Sequence, residues 1–189
     1  MRIGSTALVT LLALAGSAHA DDGASFDFGY IRSKVAVTDA TTLDAQSARF
    51  GIRVARGHYF HFGGEAEEGK LSGSTRLRGG AVARTTDGTS PSAPLDGNTL
   101  EIKMFAGAHA RSGSLMFGGD LAFGLRDTWV SGDQGIDVAG RKNEMLLEAR
   151  TRADVFLSPS MTLGAVASVD LIERRDVSLG AVFSLYFSR

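Results

Sequence analysis

The chain has 189 residues, room for one domain of ordinary size and hardly for two. Twenty lysines and arginines stand against 21 aspartates and glutamates, which excludes the basic surplus that nucleic-acid binding needs. There is no cysteine, so stability cannot come from disulfides, nor a metal centre from thiolates.

The first twenty residues read as a cleaved signal peptide. Arg2 supplies the positive start, Ala7 to Ala15 the apolar stretch, and Ala18-His19-Ala20 the small-x-small cleavage site. The apolar run is too short for a membrane helix, which needs about 20 such residues. Residues 21–189 then form a single domain whose net charge is −2, since the leader removes only Arg2 from a total of −1. Mean hydropathy is +0.02, and no later stretch is apolar enough to be a membrane helix.

Glycine is abundant, proline rare, and the dominant period is two, which predicts strands. Eight alternating segments follow in order. Residues 24–32 carry Phe26, Phe28 and Tyr30 on one face; 47–56 carry Ala48, Phe50, Ile52 and Val54; 58–68 carry Phe60, Phe62 and Ala66. Residues 99–111 set Leu100, Ile102 and Met104 against Glu101, Lys103 and His109, and 114–126 set Leu115, Phe117, Leu121, Phe123 and Leu125 against Asp120 and Arg126. The last three are 143–157, with Met145, Leu147 and Val155 apolar; 161–171, with Leu163, Ala165 and Val169; and 177–187, with Val177, Leu179, Phe183, Leu185 and Phe187.

Tight turns are expected at Gly57, at Ser112-Gly113 and at Ser158-Pro159-Ser160. They pair Val54 with Phe60, Ala110 with Leu115, Met104 with Leu121, and Leu157 with Met161, so that apolar residues share a face. Long connections are expected at 33–46, 69–98 and 127–142, the last holding Trp129, with a short tip at Glu173-Arg174-Arg175. Short turns at one end and long loops at the other suit a transmembrane β-barrel.

Alternation alone does not say which face points inward. A soluble lipocalin-like barrel would keep its apolar face inside, around an apolar ligand. Against that, the polar face is charged along its whole depth, the apolar face carries almost no charge, and no Gly-x-Trp opens the first strand. The final run VSLGAVFSLYFSR, with Phe183, Leu185 and Phe187 in alternation, resembles the assembly signal of outer-membrane barrels, although Ser188-Arg189 follow the aromatic. On these features the chain resembles the small outer-membrane β-barrels of the OmpA/OmpX type. The resemblance implies an all-β, eight-stranded antiparallel up-and-down barrel in the outer membrane of a Gram-negative cell. It also implies contact with outer-membrane lipid and lipopolysaccharide, and insertion by the barrel-assembly machinery.

Eight strands enclose little more than their own side chains. Arg49, Arg53, Glu65, Glu67, Glu101, Lys103, Asp120, Glu148, Arg150, Arg152 and Asp154 are therefore expected to form an interior charge network, since buried charges must be paired. That leaves a structural or surface-interaction role for the loops, with Arg76, Arg78, Arg84, Arg141 and Lys142 available to phosphates. A narrow passive channel is the alternative. No enzyme, cofactor or metal site is expected: the contexts His58-Tyr-Phe-His61 and His109-Ala-Arg-Ser112 match no hydrolase pattern, and His58 and His61 fall on opposite strand faces.

Overall fold

A computed structural model describes residues 23–38, 41–56, 59–76, 92–132, 140–172 and 176–188. The expected signal peptide lies outside the described residues. The strands are β1 (Gly23–Thr38), β2 (Thr41–Arg56), β3 (Phe60–Arg76), β4 (Ser92–Ser112), β5 (Leu115–Gly132), β6 (Gly140–Ser158), β7 (Met161–Asp170) and β8 (Val177–Ser188). Each pairs antiparallel with its chain neighbour, and β8 returns to β1, closing an eight-stranded barrel.

The sides of the alternation fall as a membrane requires. Met104 is 71 % exposed and Leu121 57 %, whereas Arg150 on the other face is 4 % exposed. Apolar residues out and charged residues in contradict a soluble barrel built around an apolar ligand. Phe26, Phe50 and Phe187 form an outward aromatic patch, with Phe26 stacked on Phe50 at 6.0 Å and edge-on to Phe187 at 5.4 Å.

Two expectations about the strands need correction. Residues 33–38 and 41–46 are strand, not loop: β1 and β2 stay paired out to Thr38 and Thr41. Trp129 likewise sits on β5, and β3, β4 and β6 reach well beyond their expected ends. The physical reason is a change of phase. Toward this end of the barrel the outward positions turn polar (Arg32, Lys34, Asp44, Gln46) while the inward ones turn apolar (Ile31, Val35, Leu43, Ala45). Above the lipid the outside meets water, and the inside is packed by Val35, Leu43, Ala45, Leu71, Leu95 and Val130. Read in one phase, that inversion looks like the end of a strand.

The second correction concerns register. Val54 pairs with Phe62 and Ala110 with Phe117, each two residues from the expected partner, and Met104 pairs with Phe123. The β4–β5 turn is Gly113-Ser114, closed by Ser112 opposite Leu115. Gly113 has φ 59°, a value that glycine adopts without a side-chain clash. A slip of two leaves every side chain on its expected face. Between β6 and β7 the register is as expected at Val155 opposite Leu163, and a bulge between Phe156 and Ser158 gives Met161 the partner Ser158 instead of Leu157.

Candidate functional site: the barrel interior and its two ends

Every member of the expected network is buried and faces inward. Nearest the tight turns, Arg152 on β6 gathers two acids. Its Nη1 is 2.7 Å from Asp27 Oδ2, and its Nε and Nη2 are each 2.7 Å from the Asp154 carboxylate. Ser184 on β8 accepts from Arg152 at 2.5 Å and donates to Asp27 at 2.6 Å, tying β8 and β1 to β6. Arg53 Nε lies 3.3 Å from Asp27.

One level further in, Arg150 donates to Asp120 through Nε and to Glu65 through Nη1. Arg49 donates to Glu67 through Nη2 at 2.9 Å. Lys103, 2 % exposed, stands among four carboxylates: Glu101 at 2.7 Å, Glu148 at 3.2 Å, Glu65 at 3.5 Å and Glu67 at 3.6 Å. Arg126 closes this level, with Glu101 at 2.6 Å and Asp176 as a second partner. Above it lies the apolar packing of Val35, Leu43, Leu71 and Leu95.

Three parts of this interior escape sequence reasoning. Asp176 precedes β8, but it continues the even-numbered inward row of Ser178 and Ser184, which was the available signal. Its carboxylate accepts the Ala36 amide at 2.8 Å as well as Arg126. Phe105 is an apolar residue among the polar inward positions of β4 from Thr99 to His109, and its ring lies under Arg150 at 4.6 Å and Arg53 at 5.2 Å. His61 and His109 come together, with Nδ1 atoms 3.3 Å apart, and no spacing in the sequence announces this.

At the far end the outward face turns polar and carries both signs of charge. Arg141 stacks over Trp129 at 5.2 Å and pairs with Asp127; Arg32 lies 5.9 Å over Tyr30; Lys34 pairs with Asp44 at 2.8 Å. Lys142 instead pairs with Glu144. Arg76 ends β3, and Arg78 and Arg84 lie outside the described residues. On the opposite rim Arg111 stacks on Phe156 at 3.8 Å, and the Phe156 ring lies tilted against Tyr186 at 5.5 Å. Phe183, Leu185 and Phe187, the expected assembly signal, lie in the outward row of β8.

A closed barrel of eight antiparallel strands, apolar outside and ion-paired inside, is the fold of the OmpA/OmpX-type outer-membrane proteins, and this chain has that fold. The sequence matches no family model and no curated protein. Among solved structures it is similar to Ail, the attachment invasion locus protein of Yersinia pestis, seen in complex with the heparin analogue sucrose octasulfate. That likeness has a TM-score of 0.55 at 15 % identity, over 88 % of this chain and 99 % of Ail. It is also similar to Neisserial surface protein A, with a TM-score of 0.53 at 11 % identity, over 89 % of this chain and 97 % of that one.

Proposed function

We propose that the protein is a surface-interaction barrel: its interior is a closed plug, and the end carrying the long connections faces outward and engages a partner. The observation that carries this reading is the set of ion pairs running from wall to wall. Side chains of β1, β2, β3, β5 and β6 meet inside through Arg53, Arg150 and Arg152, and Lys103 fills the space among β3, β4 and β6. A lumen so filled offers solutes no route, which leaves the outward end to do the work.

The partner chemistry fits phosphate or sulfate groups. Arg32, Lys34 and Arg141 point outward beyond the apolar wall, at the level where lipopolysaccharide phosphates meet the barrel, and guanidinium binds such groups bidentately. The sulfated ligand named for Ail is of the same chemical class. Assembly by the barrel machinery through Phe183, Leu185 and Phe187, after removal of residues 1–20, belongs to the same reading. The test is co-purification of lipopolysaccharide with the protein and with an Arg32→Ala/Arg141→Ala variant. The wild type should retain it and the variant should lose most of it; equal retention would contradict the assignment.

A further inference from the structure

His61 of β3 pairs with Gly107 of β4, and Gly107 pairs with Asp120 of β5. Glycine at 107 lets the outer two side chains meet across the middle strand. A Cβ there would stand 2.4 Å from Asp120 Cβ and 2.1 Å from the Gly119 carbonyl oxygen. In its absence His61 Nε2 lies 3.2 Å from Asp120 Oδ2. Two residues toward the tight turns, His109 pairs with Gly118, where a Cβ would meet the Ala108 carbonyl oxygen at 3.2 Å and stand at ordinary contact distance from His109 Cβ and His61 Cε1. Beside these glycines lie two imidazoles, one buried and one half-exposed at the barrel mouth.

The two Nδ1 atoms, 3.3 Å apart, either share a hydrogen bond, one ring donating its Nδ1–H to the other, or converge on a metal ion. Two nitrogens bound to one tetrahedral zinc at about 2.0–2.1 Å are themselves about 3.3–3.4 Å apart. The other nitrogen of His61 faces a carboxylate, the contact that fixes the tautomer and orientation of a metal-bound imidazole. Asp120 also accepts from Arg150 and lies 4.0 Å from Arg53, so its part is to position His61, not to bind the ion.

We propose that His61 and His109 form a two-imidazole site for a divalent transition cation of the Zn²⁺ or Cu²⁺ class at the turn end of the barrel, with Asp120 as the positioning residue. No group of three or more His, Cys, Asp or Glu placed to hold a metal occurs among the described residues. Water or a small anion must therefore complete the coordination, and the ion is exchangeable.

The test uses the full chain folded in detergent, with the heat-dependent gel shift confirming the barrel. Cu²⁺ is titrated under electron paramagnetic resonance and Zn²⁺ under calorimetry. The expected result is one ion per chain, with hyperfine structure from two bound nitrogens. His109→Gln, at the half-exposed partner, should leave one nitrogen and weaken binding about tenfold or more, as should Asp120→Asn. His58→Gln should bind as wild type. Absence of uptake at millimolar Cu²⁺ and Zn²⁺, or binding unchanged in a folded His109→Gln barrel, would overturn the site and leave the pair sharing only a proton.

Discussion

Arg150 on β6 and Glu65 on β3 meet inside the barrel, Nη1 to Oε1 at 2.6 Å, although 85 residues and two intervening strands separate them. The same guanidinium binds Asp120 and stacks on Phe105. A cation so enclosed holds four strands to one point, and its loss leaves two carboxylates buried with fewer partners.

Arg150→Ala should therefore lower stability by about 3–5 kcal/mol, the cost of breaking a desolvated pair. The urea midpoint of the heat-modifiable band in lipid vesicles reads this directly. Arg141→Ala removes an equally clear ion pair at the exposed rim, and its midpoint should not move. Equal effects would mean that the interior pairs are as solvated as the rim.

The lipid face is tested by charge. Leu121→Arg and Ala165→Arg should each cost about 2–4 kcal/mol where the residue lies near the bilayer midplane. Leu121→Phe should be silent. Vesicle refolding with wild-type midpoints for both arginine variants would show that these outward residues do not touch acyl chains.

Faces were legible from the sequence because the period of two survives any even slip. Val54 was two residues out of register and still outward, as was Ala110. Strand ends were not legible, because at Lys34-Val35 and Leu43-Asp44 the solvent changes sides and the alternation inverts with it. That charged side chains fill the inward rows was readable from the alternation, Asp176 excepted, since any Arg, Lys, Asp or Glu in an inward row of a narrow barrel must find a partner. Which partner it finds depends on the strand stagger. For that reason the crossing of Arg150 to Glu65, and the meeting of His61 with His109, appear only in three dimensions.

Two glycines separate packing from backbone freedom. Gly107→Ala puts a Cβ against the Gly119 carbonyl and Asp120, and should cost about 1–3 kcal/mol through overpacking. At Gly119 the nearest atom to a new Cβ is the Arg150 carbonyl oxygen at 3.5 Å, an ordinary contact, so Gly119→Ala should unfold at the wild-type urea concentration. The reverse order would contradict the close approach of β4 and β5 at Gly107.

Shortening the longest connection should spare the barrel if the cut stays between the strands. Because Arg76 still pairs with Ser92, deletion of 72–94 would remove paired strand ends, whereas deletion of 79–89 would not. The shorter deletion should fold with an unchanged gel shift, since loop closure entropy changes slowly with length. It should also lose any partner binding that resides in that connection.

Conductance of the purified protein in a planar lipid bilayer is the most direct measurement of the closed interior. With Lys103 held by four carboxylates and Arg150 bridging β3, β5 and β6, the protein should insert and pass little or no current. Large, regular single-channel steps from the intact chain would contradict the plug and make the same charged residues the lining of a pore.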